Sequence, residues 1–493
     1  MSQATPPSDS IKIIDHHDKL HSIDLVNCTY QGTAVRPDYL EQTPQRMSSD
    51  WIATRLLAGR TLELWQTKEG TWLAVDRADP EGVTINGDQL RDLQQKPMTV
   101  AIPATPFAIT LEAKNFRALR NTNWTPSGVC VVVGPNGAGK TTLLILLEFL
   151  RNAYLRSAPS AIDHFGGVYQ LRSWGVSGEE PVLVALTVGN LRWELQLTAH
   201  GPTLSDRLGE RVTRGDEVIL SRTALAQRLV YRGEERVIAE SDERLALRIV
   251  ADAEQAEELT PLIQTLTRTR VYRNYNLWSL QTNGSRQSGD LYLHPSGNNV
   301  FTVLRNWRDR RELKPQYEFV MKGLRSGFPK VFADLDFDIA GLTVTVDVID
   351  ENLNHCPLAL APDGWLTGLL HLTAVAGATE GSFIAIDDFG NDLHPYAIRK
   401  ITEAFREWAD ERDLIVCLAS HSPVLLDEFK DQPSSVFVME RELEQRPVPL
   451  TELYDPDWLT RFSLGRLYEH GEFGGQLPRS NGAAGGKLAH QGE

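Results

Sequence analysis

One short run constrains this chain more than any other: Gly134-Pro135-Asn136-Gly137-Ala138-Gly139-Lys140-Thr141. It fits the pattern G-x-x-x-x-G-K-[ST]. It follows the apolar, strand-like VCVVV and opens the apolar, helix-like TTLLILLEFLRNAYL, which is the context that pattern requires. Glycines there let backbone N–H groups turn inward around phosphate oxygens, and the helix N-terminus adds positive potential. Lys140 is expected to contact the β and γ phosphates of a nucleotide, and Thr141 to place its hydroxyl on Mg²⁺. Residues Gly134 through Thr142 (with Thr142 following Thr141) are the candidate phosphate cradle.

The last third of the chain reads as strand, helix, strand: SFIAIDD, then HPYAIRKITEAFREWADERD, then LIVCLAS. That alternation is the signal of a parallel α/β sheet. The first of these strands ends in two acids. Asp387 is expected to hold magnesium through water, and Asp388 to polarise an attacking water. His421, in Ala419-Ser420-His421-Ser422-Pro423, follows the second strand and is placed to reach a γ-phosphate.

Length and composition frame these motifs. The chain has 493 residues, room for two or three domains at about 150 residues each. With 41% hydrophobic and 23% charged residues it matches soluble globular proteins. Its formal charge of -15 argues against a dedicated nucleic-acid coat. The four cysteines are scattered, with no CxxC pair, so they are expected to be reduced thiols in a cytoplasmic protein. The polar start shows no secretory signal. The apolar-leaning stretch 366–386 is broken by His371, Glu380 and glycines, a poor membrane span.

The expected organisation is a β-rich N-terminal module over 1–106, a lobe with the phosphate loop over 107–242, a mostly helical insertion over 243–340, a second lobe with the strand-end acids and His421 over 341–475 and a disordered tail over 476–493. In the N-terminal module RTLELWQT, TWLAVDRA and GVTING alternate apolar and polar residues. The cluster His16, His17, Asp18 and His21 has no matching second ligand group and reads as a solvated loop.

Two basic, aromatic stretches stand apart. Arg268, Arg270, Tyr272, Arg273, Tyr275 and Trp278 form one; Arg305, Trp307, Arg308, Arg310, Arg311 and Lys314 form the other. They could track a nucleic-acid backbone and stack on bases. A solvated helix face with aromatic core positions suits the acidic chain better. Asp334, Asp336 and Asp338 alternate as acids do on the solvent face of a strand, with a metal site as the lesser reading.

Together GPNGAGKTT, IDDFGNDLHP and ASHSPVLLD resemble the ABC/SMC-type ATPases. More closely they resemble the single-chain AAA-family group related to RecF and to the OLD (overcoming lysogenization defect) ATPases. KNFRAL before the phosphate loop matches that group's N-F-R start. RTRVYRNYNLW, HPSGNNV and FSLGRLYEHGEFGG are softer matches, and the first hundred residues are not covered. The resemblance implies an α/β, ABC/SMC-type P-loop fold that binds ATP and Mg²⁺. It also implies a dimer in which a signature loop of one subunit closes over ATP in the other. The candidate loop is Ala361-Pro362-Asp363-Gly364-Trp365, with Asp363 and Gly364 at the nucleotide. Asn391-Asp392 is the D-loop candidate, and Gln170 a weak candidate for the magnesium-sensing glutamine.

Two departures stand out. Pro362 occupies the place of a serine whose hydroxyl and N–H face the γ-phosphate, and proline supplies neither. Asp388 occupies the place of a glutamate and is one methylene shorter. A misplaced base slows chemistry by about a hundredfold, so slow hydrolysis is expected. OLD enzymes append a Toprim nuclease. Only about seventy residues follow His421 here, too few for a domain of typical size. Short ATPases of this kind are often half of bacterial anti-phage systems, so a separate nuclease or toxin effector is the expected partner. The alternative is a RecF-like repair ATPase that binds DNA directly through Arg268, Arg270, Arg273, Arg305, Arg308, Arg310 and Arg311.

Overall fold

The computed structural model describes residues 108–198, 208–222, 228–238, 244–253, 256–440 and 445–474, together with five short strands nearer the N-terminus. The chain divides into two compact units, Met1–Pro106 and Phe107–Glu493. In the first, Ser10–Ile14 pairs antiparallel with Leu20–Asp24, and Leu62–Gln66 pairs antiparallel with Trp72–Asp76. The expected strand in GVTING, the cluster around His16 and His17, and the tail after 475 lie outside the described residues.

In the second unit the apolar run Val129–Val133 lies inside a six-stranded sheet. The order is Arg270–Tyr272, Phe383–Ile386, Ile415–Ala419, Val129–Val133, Val436–Val438 and Val448–Pro449. All neighbouring pairs are parallel except the last. The runs are continuously apolar because both faces are covered. Val129, Val131 and Val133 point into one core, and Cys130 and Val132 into the other.

The phosphate-loop helix Lys140–Leu155 lies on the second face, burying Leu143, Leu144, Leu146, Leu147, Phe149 and Leu150. It shares that core with an eight-stranded sheet, antiparallel throughout, that contains Ile109–Phe116 and Val182–Val188. The first face is covered by helices Val300–Asp309, Lys314–Gly327, Asp363–Ala376 and Pro395–Arg412. This is the expected α/β arrangement, a parallel sheet with the phosphate loop at one end and helices on its faces.

The segment 243–340, expected to be mostly helical, holds helices from Ala246–Ala253 to Lys314–Gly327 and also carries Arg270–Tyr272 at the edge of the parallel sheet. It also carries Asp334–Ala340, paired antiparallel with Thr343–Ile349. The edge strand is three residues long and begins at an arginine, so it offers too little alternation to read as a strand. Among the described residues, no helix is long and apolar enough to cross a membrane.

Candidate functional site

All the strong candidates converge on the carboxyl end of the parallel sheet, where open α/β sheets place their ligand sites. Gly134, Gly137 and Gly139 have φ of 153°, 79° and 105°, backbone that side chains rarely adopt. At Gly134 an added Cβ would stand 2.1 Å from the Met439 carbonyl oxygen. The loop therefore needs glycine there for close packing as well as for its turn.

Lys140 is buried, and its Nζ donates to the carbonyl oxygens of Gly134 at 2.8 Å and Pro135 at 3.3 Å. Burial lowers its pKa to about 8, although Asp387 and Asp388 pull the other way. Asp387 accepts a hydrogen bond from Thr141; burial pushes its carboxyl up and the neighbouring Asp388 charge adds to that push. This hydroxyl–carboxylate pair beside a glycine cradle is a donor set that suits Mg²⁺ carried by a phosphate chain.

Asp388 is exposed and stands at φ 52°, in the left-handed region where Asp and Asn are the commonest non-glycine residues. His421 is drawn below the ordinary histidine range by burial and then by the Lys140 charge, with Asp388 opposing. Its ring is therefore neutral at physiological pH. Its Nδ1 lies 3.1 Å from the Tyr468 hydroxyl. When that phenol donates to Nδ1, the ring proton sits on Nε2, free to be donated. The geometry thus brings Lys140, Thr141, Asp387, Asp388 and His421 into one site.

The loop Ala361-Pro362-Asp363-Gly364 caps helix Asp363–Ala376, with Pro362 as N-cap. Pro362 and Asp363 are exposed, and the Pro362 carbonyl accepts from the N–H groups of Trp365 and Leu366 at 3.1 Å each. The D-loop candidate packs directly on it: a Cβ at Gly364 would lie 2.4 Å from the Asp392 carbonyl oxygen. Gly364→Ala is therefore expected to cost about 1–3 kcal/mol, measured as a lowered urea midpoint. An unchanged midpoint would show that the two loops part freely.

Three candidates are placed differently. Gln170 is exposed on the one-turn helix Val168–Leu171, which is tied through Leu171 to the backbone of Arg117. Arg273 stands in the position facing Asp387 and pairs with Glu148 of the phosphate-loop helix at 2.8 Å. Asp334, Asp336 and Asp338 are exposed on their strand, and the described residues contain no cluster of three or more His, Cys, Asp or Glu placed to hold a metal ion.

The base-stacking reading of the aromatic residues is overturned for two of them. Tyr272 and Trp307 are buried, with their polar atoms bonded to the carbonyls of Leu293 and Leu291. Arg268 and Arg270 donate to backbone carbonyls, and Arg305 lies 3.7 Å from Asp309. Arg308 pairs with Asp309 at 3.0 Å and covers the Phe337 ring. Arg310 and Arg311 are exposed.

Several site residues had no motif to announce them. Gln445 donates to the Gly137 carbonyl at 3.3 Å, and Glu440 accepts from the N–H of Gly474. The segment carrying Tyr468 and Gly474 folds back so that a Cβ at Gly474 would sit 3.6 Å from the Cα of Gly134. Only the soft match FSLGRLYEHGEFGG pointed there. Tyr468→Phe is expected to lower turnover by about 10-fold or less, the loss of one neutral hydrogen bond to the histidine. Unchanged turnover would show that the phenol does not orient the ring.

A family model described as "AAA domain, putative AbiEii toxin, Type IV TA system" matches residues 129–427, more than half of the chain. No curated protein matches the sequence. Among solved structures, the chain is similar to one titled "Crystal structure of the SmcHead bound to the C-winged helix domain of ScpA". The identity is 12% and the TM-score 0.37, over 66% of this chain and 92% of that one.

Proposed function

Because the chain belongs to this AAA-domain, AbiEii-toxin-type family, we propose that it is an ATP-binding switch that hydrolyses ATP slowly, closes as a dimer over its nucleotides and controls a separate effector. The observation that carries this reading is the single site holding Lys140, Thr141, Asp387, Asp388 and His421 at the carboxyl end of the sheet. Lys140 would exchange its two carbonyl partners for the β and γ phosphates, with the loop from Gly134 to Thr142 supplying N–H groups. Thr141 and Asp387 would hold Mg²⁺, which supplies charge neutralisation on the phosphates. Asp388 would orient and deprotonate the attacking water. Neutral His421 would donate from Nε2 to the γ-phosphate.

Two features support slow turnover. The Asp388 carboxylate is short for a base, and Pro362 brings no hydroxyl or N–H to the loop that would meet the partner's ATP. The exposed Asp363, Asn391 and Asp392, with half-buried Gly364, are the surface proposed for that meeting. Gln170, exposed on its separate helix, remains a weak proposal for the magnesium sensor.

The family description supports a two-protein arrangement, because a toxin–antitoxin system has two components. A cytoplasmic anti-phage complex with a nuclease or toxin partner is the form we favour. Native purification with ATP and magnesium, followed by mass spectrometry, tests it. A stoichiometric effector chain is expected. Recovery of the ATPase alone, as a dimer, would instead favour direct DNA binding. In that case changing Arg308, Arg310 and Arg311 to alanine should remove a salt-sensitive DNA affinity.

The Lys140 ammonium gives a pH signature. ATP phosphates would keep it charged, whereas the free site releases its proton near pH 8. Apparent ATP affinity should be level below about pH 8 and then fall toward tenfold per pH unit. For the unliganded protein the sign is opposite. Between about 8 and the ordinary 10.5 the folded state binds fewer protons than the unfolded one, so stability rises with pH across that window. Titration calorimetry from pH 7 to 9.5 checks the affinity. A flat profile would show that the Lys140 charge does not bind phosphate.

A further inference from the structure

The chain from residue 273 to 281 joins the metal side of the nucleotide site to the signature loop. At one end, the parallel register Tyr272↔Ile386 brings Arg273 level with Asp387, and the N–H of Asp387 donates to the Tyr272 carbonyl at 2.9 Å. The Arg273 guanidinium reaches the phosphate-loop helix, pairing with Glu148 at 2.8 Å. It also lies close to Arg117, which burial and then the Arg273 charge hold below the ordinary arginine range. Two guanidiniums therefore stand near each other, Arg273 also acting on Asp387, and Glu148 is salt-bridged to Arg273. Such a pair favours an added anion.

At the other end, Gln281 on helix Leu277–Asn283 donates through Nε2 to the Ala361 carbonyl at 2.9 Å and to Asp363 Oδ1 at 3.0 Å. Those two residues bracket Pro362. The middle is packed firmly. Tyr275 packs tilted against His371 of helix Asp363–Ala376 with ring centroids 5.5 Å apart, and His371 tilted against Phe389 at 5.2 Å. Phe389 directly follows Asp388. A Cβ at Gly297 would meet Tyr275 at 2.9 Å, so only glycine lets the backbone there lie close against the ring.

We propose that residues 273–281 form a coupling strap: Arg273 senses the nucleotide phosphates, the Tyr275–His371–Phe389 stack carries the displacement, and Gln281 sets the pose of the signature loop. The proposal rests on the ATP-site reading above. Arg273 and Gln281 are positioning residues. When phosphate competes with Glu148 for the Arg273 guanidinium, the end of the edge strand shifts. The stack passes that shift to the signature helix and the turn carrying Asp387 and Asp388 together. A closed nucleotide site and a competent signature loop then become one state, as coupling through a packed network with two arrangements requires.

The test uses the full chain with Arg273→Lys, Arg273→Ala and Gln281→Leu. Three readouts are taken: affinity for ATP with magnesium, kcat with KM, and amide hydrogen exchange over 277–283 and 358–366 with and without ATP. In the wild type, ATP is expected to change exchange in both segments. Gln281→Leu should keep ATP affinity within about twofold, lose the response over 358–366 and lower kcat by about a hundredfold. Arg273→Ala should lose the response in both segments while still binding ATP, and Arg273→Lys should restore part of it. If Arg273→Ala fails to fold, Gln281→Leu and Arg273→Lys carry the same test.

The proposal is overturned if Gln281→Leu retains wild-type kcat and exchange response, or if Arg273→Ala still transmits ATP binding to 358–366. Lys140→Ala separates the two levels. If that variant still turns over ATP, the ATP-site reading itself has failed. If it loses ATP while the strap variants behave as wild type, only the coupling is wrong.

Discussion

Lys140→Ala is expected to abolish ATP turnover and lower ATP affinity by about 2–5 kcal/mol, some thirty-fold to several-thousandfold. The ammonium is the buried positive charge at the mouth of the cradle. Its two partners, the carbonyls of Gly134 and Pro135, belong to its own loop and do not tie distant elements together. Removing it should therefore spare the fold, and the melting temperature should hold or rise slightly because a desolvated charge is gone. Nucleotide binding by calorimetry, phosphate release and a thermal melt separate the two effects. Normal turnover by Lys140→Ala would sink the site assignment. Lost turnover with a collapsed melt would show a structural role instead.

Asp388→Asn is expected to lower kcat by about 10²–10⁴-fold, the usual contribution of a positioned general base, while leaving ATP affinity nearly intact. The substitution is clean for a backbone reason. Residue 388 sits at φ 52°, and Asn accepts that conformation as readily as Asp. Asn keeps the size of the side chain and loses only the basic oxygen. ATP should accumulate unhydrolysed on the protein, and light scattering should show a dimer with ATP and magnesium. Wild-type hydrolysis by this variant would mean that another group takes the water proton. The same φ gives a reason for the short acid: a longer glutamate has no local hydrogen bond to steady it in that turn, whereas Asp and Asn are adapted to it.

Much of the site was legible because its parts are local. The phosphate loop is a contiguous pattern with a strand before it and a helix after it. The strand-end acids and His421 each follow an apolar run whose length and flanks mark it as a buried strand. What could not be read was the pairing across the sheet. The strand carrying Arg273 is three residues long, and only its parallel register with Phe383–Ile386 places that arginine beside Asp387. In the sequence it looked like one more cation in a basic stretch, and Tyr272 and Trp307 read better as core positions than as stacking rings. Both rings are in the core, because the edge strand and helix Val300–Asp309 turn them inward. Gln170 carried the right chemistry but lies exposed on a separate one-turn helix.

The chain's residues alone determined the glycine loop of the candidate site, the lysine and threonine that follow it, and the acids and histidine that end the neighbouring strands. Those are short-range consequences of glycine geometry and apolar periodicity. Only the tertiary structure decided that Glu148 holds Arg273, that Tyr468 reaches His421, and that Gln281 bonds the Ala361 carbonyl. Each of these contacts joins segments far apart in the chain, and the packing of two cores on one sheet brings them within hydrogen-bond reach.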